Sequence, residues 1–212
     1  MKNEVRVYTI HIPAYVGDLA ELKLELSPDE LERASRFIHE KDAYAYIISH
    51  AYLRRVLAQQ LACKPLDLVF EKNAHGKPFL LNHAVQFNLS HSGDYALIAL
   101  SDAPVGIDIE RHKPAKDVLA IAQRYFTPVE YLYIKNQADQ NKISTFYDIW
   151  SMKEAYVKAL GEGIAYGFNR FSVINPKGEY VNSIDGLLLS RRQVADGYSA
   201  AVVGSTTKII SY

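Results

Sequence analysis

The chain writes the same helix start twice, as Ser27-Pro28-Asp29-Glu30 and as Thr127-Pro128-Val129-Glu130. In each, a hydroxyl can accept a first-turn N–H, proline suits the first helical position, and a glutamate three residues on can return the bond. The surroundings of the two starts are alike as well. From 28 the apolar pattern predicts helix to about Cys63, broken or bent near Lys41 and stopped by Lys64-Pro65, then short strands at 68–70, 84–90, 95–101 and 105–110. Residues 91–94 read as a turn, and the apolar run at 96–100 as a strand buried on both faces. In the second stretch 115–126 is helical, a polar linker spans 136–142, and a long helix covers roughly 144–160, with Gly161 as its stop. Strands at 170–174, 186–192, 198–204 and 207–210 complete the pattern, and an alternating strand at 5–12 precedes it. Helices followed by strands, twice over, predict an α+β fold in two halves, 1–103 and 104–212, each of roughly 100 residues and able to bury a core. No residue-level repeat is visible between them.

Charge and cysteine content remove several function classes. Lys plus Arg (24) equals Asp plus Glu (24), which disfavours a nucleic-acid backbone as partner. The single cysteine, Cys63, excludes an intrachain disulfide and cysteine-paired zinc, and it reads as a small apolar filler. No apolar run is long enough to span a membrane, and the start is a polar-punctuated strand unlike a signal peptide. A cytoplasmic protein is expected, with no membrane partner.

The chemistry-bearing residues are carboxylates and cations. In Val105-Gly106-Ile107-Asp108-Ile109-Glu110 the two acids share one strand face and the isoleucines the other. Such a pair suits a hard cation such as Mg²⁺, and it equally suits a solvated acidic face. Trp150, Glu154 and Lys158 recur every four residues on the long helix. There Glu154 and Lys158 read either as an exposed ion pair or as a third metal carboxylate with a phosphate-binding lysine. Lys77, between Gly76 and Pro78, is a turn lysine that can be presented stiffly; Ser90 and His91 lie at a strand end whose turn can receive an anion. Three acids, two lysines and a histidine together describe a Mg²⁺–diphosphate site better than an acyl-enzyme site.

In order and spacing, Gly76-Lys77-Pro78, "FNLSHSGDYALIA" (87–99), "VGIDIE" (105–110), "RYFTPVE" (124–130) and "WSMKEAYVKALGEG" (150–163) resemble the 4′-phosphopantetheinyl transferases of the larger, surfactin-synthetase-activator (Sfp-like) type. The resemblance implies a monomer of two similar, pseudo-twofold-related α+β halves with coenzyme A and Mg²⁺ between them. It implies transfer of 4′-phosphopantetheine from coenzyme A to a serine of an acyl or peptidyl carrier protein, releasing 3′,5′-ADP. Carried onto this chain, it makes Asp108, Glu110 and Glu154 the metal ligands. Lys77, Ser90, His91 and Lys158 become phosphate contacts, and Arg33 and Arg36 basic groups toward the 3′-phosphate. Glu154 is then the candidate general base, Lys158 and His91 stabilise the leaving group, and Glu130 is the structural partner of Thr127. Two positions depart from the pattern: Ala45 stands where an arginine is common, and Glu30 where a related chain would offer a lysine. Carrier docking is expected on exposed residues of 111–140. Two other classes use the same residues: a Mg²⁺ enzyme releasing phosphate from esters, and a non-catalytic coenzyme A or carrier-protein binding module.

Overall fold

Both helix starts form as written. In the computed structural model, which describes residues 3–114, 117–163, 166–206 and 208–212, Ser27 and Thr127 each cap a helix within a complete capping box. These helices are α2 (Pro28–Ser35) and α5 (Pro128–Lys135); α1 (Leu19–Lys23) and α4 (Val118–Tyr125) precede them. Residues 115 and 116 of the expected fourth helix, and residue 207 of the last expected strand, lie outside the described residues. A 22-residue helix follows each start: α3 (Glu40–Leu61) and α6 (Asp139–Leu160). The break expected near Lys41 falls at 36–39. The expected polar linker is largely the exposed first turn of α6, which starts five residues early because those side chains face water and show no apolar stripe. Gly161 ends α6 in the left-handed region (φ 76°), where a side chain would be strained.

Two four-stranded sheets form, the first of which borrows its outermost strand from the end of the second half. The first has the order β10-β1-β5-β4, from β1 (Val5–His11), β4 (Gln86–Ser92), β5 (Tyr95–Ser101) and β10 (Ile209–Ser211). The second runs β6-β9-β8-β7, from β6 (Gly106–Arg111), β7 (Ser183–Ile184), β8 (Leu187–Arg192) and β9 (Tyr198–Gly204). The mixed architecture is the expected α+β class. A separate hairpin joins β2 (Phe70–Lys72) and β3 (Pro78–Leu80). Three local readings change. The strand expected at 68–70 begins only at Phe70, β4 runs on through Ser92 so that the turn is Gly93-Asp94, and 170–174 is no strand. There a short 3-10 turn (Phe168–Arg170) and one bridge, Ile174 to Tyr180, stand in place of a ladder.

The core is threefold. One cluster lies under α3, a second under α6, and a third fills the space between the sheets with Val5, Val7, Leu97 and Ala99 against Val105, Ile107, Ile109, Ala200 and Val202. The alternate β5 residues Ala96, Ile98 and Leu100 face the first cluster, so β5 is buried on both sides as its apolar run predicts. Cys63 packs half-buried at the edge of the first cluster. Helix α6 lies against β6 so closely that a Cβ on Gly106 would sit 1.9 Å from the Ala155 carbonyl oxygen and 2.5 Å from Ala159 N.

A buried ion pair ties each helix start to the long helix after it. Glu130 and Lys153, both 0% exposed, meet at 2.9 Å. Glu130 also accepts from Thr127 and from Val173 N, while Lys153 donates to the carbonyls of Phe168 and Phe171. In the first half Glu30 meets Arg54 at 2.7 Å, and Arg54 donates to the carbonyls of Pro65 and Leu68. Burial lowers the Lys153 pKa to about 8, against the pull of Glu130.

Two outcomes test this packing. Gly106→Ala should cost about 3 kcal/mol or more in urea unfolding, because backbone atoms on both elements must separate; a loss under about 1 kcal/mol would show that α6 does not press on β6. Lys153→Met alone should cost about 3–5 kcal/mol by stranding Glu130, and the double variant Lys153→Met/Glu130→Leu should be less destabilised than Lys153→Met. Strict additivity in that cycle would contradict a coupled pair.

Candidate functional site

The site is assembled where the two sheets meet edge to edge. Three alternate side chains of β4 reach the free backbone edge of β6. Asn88 Oδ1 accepts from Ile107 N at 2.8 Å, Ser90 Oγ from Ile109 N at 3.4 Å, and Ser92 Oγ from Arg111 N at 3.0 Å. Each bond spans 19 residues, so the strands are held in fixed register by side chains instead of a backbone ladder. That register sets Ser90 beside Asp108 and Ser92 beside Glu110.

Asp108 is only 2% exposed, so the strand does not carry the solvated acidic face that its alternation also allowed. Its Oδ1 accepts from Ser90 Oγ (2.8 Å) and from Lys158 Nζ (2.6 Å), and Lys158 also donates to Ser90 Oγ (3.1 Å). Asp108 Oδ2 is buried without a hydrogen-bond partner. Glu110 accepts from Ser92 Oγ at 3.2 Å. Burial first, then the charge of Asp108, pushes the Glu110 carboxyl up to about 7. Glu154, half-buried on α6, is raised by burial, pulled back by Lys158 and raised again by Asp108. Of the two readings of Glu154 and Lys158, the exposed ion pair does not form: Lys158 meets Asp108 across the joint.

An oxygen left unpartnered in a buried carboxylate, with two further carboxylates influencing its neighbours, fits a hard divalent cation. Among the described residues no three His, Cys, Asp or Glu side chains stand together as a group that could hold a metal ion by themselves. That still suits Mg²⁺, which is commonly held by one or two carboxylates with substrate phosphate oxygens and water in the other positions.

The remaining expected residues fall around this cluster. Lys77 projects from the β2–β3 loop onto the C-terminal end of α6, where Nζ donates to the carbonyls of Val105 (3.2 Å) and Ala159 (3.3 Å), and burial draws its pKa down to about 8. Asn73 of the same loop donates to Gly161 O. His91 is exposed at the rim, its pKa lowered by partial desolvation and by Lys158. Arg33 is exposed on α2 and lies over the Tyr46 ring at 5.4 Å, while Arg36 pairs with Glu32; together with Asp29 and Phe37 they line a surface hollow. Of the two departures, Ala45 is buried in the α3 core, and the Glu30 carboxylate is committed to Ser27 and Arg54. Asn88 and Ser92 carry no role in the sequence reading, and Lys153 stands out there only as a charge beside Glu154 and Lys158. The i, i+2, i+4 polar spacing of 88, 90 and 92 opposite the acids was the available signal for the first two.

Ser90→Ala should lower stability by about 2 kcal/mol in chemical denaturation, because Ile109 N–H is left buried without an acceptor. A change below about 0.5 kcal/mol would mean that the 3.4 Å bond carries little of the joint.

The sequence is similar to known proteins along most of its length. A sequence model of the 4′-phosphopantetheinyl transferase superfamily matches residues 104–203, and one of the 4′-phosphopantetheinyl transferase N-terminal region matches 17–103. The chain is similar to the 4′-phosphopantetheinyl transferase gsp of Aneurinibacillus migulanus, 30% identical over 184 residues, which is 85% of this chain and 76% of that one. It is also similar to the 4′-phosphopantetheinyl transferase Sfp of Bacillus subtilis strain 168, 32% identical over 183 residues (84% of this chain, 81% of that one). The 4′-phosphopantetheinyl transferase HetI of Nostoc is 35% identical over 170 residues, covering 78% and 72% of the two chains.

Proposed function

The chain belongs to the 4′-phosphopantetheinyl transferase superfamily, and we propose that the residues of the inter-sheet cleft divide the work of its reaction among them. The enzyme transfers 4′-phosphopantetheine from coenzyme A to a serine of a carrier protein, releasing 3′,5′-ADP. The observation that carries the assignment of roles is Asp108: a buried carboxylate with one oxygen on Lys158 and the other unpartnered. Asp108 and Glu110, with Glu154 from α6, would hold Mg²⁺. When bound, the ion neutralises the diphosphate of coenzyme A.

The chain's own groups supply the rest. Lys158 is held at the joint by Ser90 and Asp108, so its ammonium is oriented before substrate arrives and need not reorganise as charge moves to the leaving group. His91 at the rim is a second donor for that charge, and Ser90 offers its hydroxyl beside it. Glu154 takes the proton of the attacking serine, directly or through a water. Lys77 stiffens the far end of α6 through Val105 and Ala159 and can turn its ammonium to a phosphate. Arg33 and Arg36 supply positive charge toward the 3′-phosphate. On this reading the functional halves are 1–103 and 104–212, and the enzyme works as a cytoplasmic monomer. No helix among the described residues is long and apolar enough to cross a membrane. Exposed residues of 111–140, with Tyr125, Val129 and Leu132 among them, form the carrier-docking face.

Intact mass of an apo carrier protein incubated with the enzyme, coenzyme A and Mg²⁺ tests the roles. The expected result is a gain of one phosphopantetheine, abolished by chelator and slowed by roughly 100-fold or more in Glu154→Gln. Wild-type rates in that variant would remove Glu154 from the mechanism. In the same preparation Mg²⁺ should raise the thermal midpoint of the wild type and leave that of Asp108→Asn unmoved. An equal rise in both would place the ion elsewhere.

A further inference from the structure

One face of α3 carries a histidine that none of the roles above uses. Asp42, Tyr46, His50 and Arg54 recur every four residues and so form a stripe along the helix. His50 stacks on the Tyr46 ring, with centroids 3.8 Å apart and planes 27° apart. Its Nδ1 lies 3.0 Å from the Tyr46 carbonyl oxygen, which can only accept. The proton of the neutral ring is therefore on Nδ1, and Nε2 keeps its lone pair. The same Tyr46 ring carries the Arg33 guanidinium at 5.4 Å, so one aromatic platform positions both groups.

The charges around His50 are one-sided. Burial, above all, lowers its pKa to about 4; the Tyr46 carbonyl opposes this, while His91 from β4, Arg33 from α2 and Arg54 from its own helix add to it. Of the acids on these elements, Glu30 is paired with Arg54, and the charge of Asp42 favours a proton on His91. A neutral imidazole beside two guanidinium groups, with an open nitrogen and no carboxylate partner, is arranged for an anion that would reverse the local field. A phosphate monoester carries close to two negative charges near neutrality and offers three acceptor oxygens.

We propose that His50 is a further binding residue for coenzyme A, taking up a proton at Nε2 as the 3′-phosphate monoester enters between Arg33 and His91. The inference rests on the placement of coenzyme A given above and adds to it both a residue and a proton. The proton passes from solvent to Nε2, and the imidazolium then donates to a phosphate oxygen. Because a proton is taken up with the ligand, binding by the wild type strengthens relative to His50→Gln as pH falls toward about 6, the second pKa of the phosphate. Below that the monoester itself takes up a proton and the gain ends. The 3′-phosphate is favoured over the diphosphate because it is the monoester, able to bring two charges to one place.

Calorimetric titration of coenzyme A into the wild type and His50→Gln, near pH 6.5 in two buffers of different ionisation enthalpy, reads the proton directly. Glutamine keeps a donor and cannot be protonated. The wild type should take up a substantial fraction of a proton more than the variant, and the variant should bind coenzyme A about tenfold more weakly, the cost of one charge-assisted hydrogen bond. 3′-Dephospho-coenzyme A should bind both proteins alike. Equal proton uptake by the two proteins, or an equal loss of affinity for the dephosphorylated compound, overturns the proposal. A wild type that modifies carrier protein and binds coenzyme A without excess proton uptake overturns it while leaving the transferase roles standing. A wild type that transfers nothing and binds no coenzyme A overturns both. Should the variant fold poorly, ring-nitrogen NMR of labelled wild type decides: on adding coenzyme A, the His50 Nε2 resonance must move from the neutral to the protonated position, and a static resonance refutes it.

Discussion

A sheet edge is a row of unmet hydrogen-bond donors and acceptors, and this molecule has to bring two such edges together inside a site that also needs charge. It does so with the side chains of Asn88, Ser90 and Ser92, which stand in for a missing backbone strand along β6. A backbone ladder would have drawn the two strands to ordinary sheet spacing, about 5 Å, with no room for functional groups between them. Side-chain pairing holds the edges farther apart and fills the gap with hydroxyls. The Ser90 hydroxyl then serves the joint and the cleft at once: it accepts from Ile109 N and Lys158 and donates to Asp108. The acids on β6 have fixed neighbours only because the joint has one register.

Behind the joint, each half uses the same device to hold its long helix. The glutamate that closes a capping box also receives a cation from the fifteenth residue of the following 22-residue helix: Arg54 in α3 and Lys153 in α6. Each cation donates in turn to two carbonyls three residues apart, Pro65 and Leu68, or Phe168 and Phe171. The halves are thus repeats in their buried electrostatics although their apolar residues differ. Apolar cores accept many volume-conserving solutions, whereas a buried charge with three partners accepts few. That difference explains why the repeat survives in ion pairs and is not visible in sequence. It also accounts for Lys153 in the charged stretch at 150–163: it is the internal anchor that keeps Glu154 and Lys158 aimed at β6.

Legibility followed the kind of signal each element carries. The capping boxes, β5 and β9 were readable because a local rule decides them, a cap in one case and a run of apolar or alternating residues in the other. Strands β3 and β7 were missed, being too short to show a period, and 170–174 was misread because its apolar alternation serves packing and the carboxylate of Glu130 instead of a ladder. The acids, lysines and serine of the site were readable as residue types whose order matched a family. Their pairing was not, since Lys158 and Asp108 lie 50 residues apart and Glu154 is nearer to Lys158 in sequence. His50 offered no signal at all, as a histidine in a helix means nothing until its neighbours are known.

The outermost strand of the first sheet comes from the far end of the chain. Ile209 and Ile210 pair in parallel with Val5 and Arg6, and the Tyr212 ring stacks on Tyr8. During synthesis β1 is therefore made about 200 residues before β10 can cover its outer edge, although β5 can pair with it much earlier. The final loop closure spans about 200 residues, among the longest this chain allows, and such non-local pairings are the slow steps of folding. Until β10 is made, the first half can fold in its interior while β1 stays exposed at one edge. Loss of the last few residues would leave that edge open for good, as a template for pairing with other chains, even with every residue of the cleft in place.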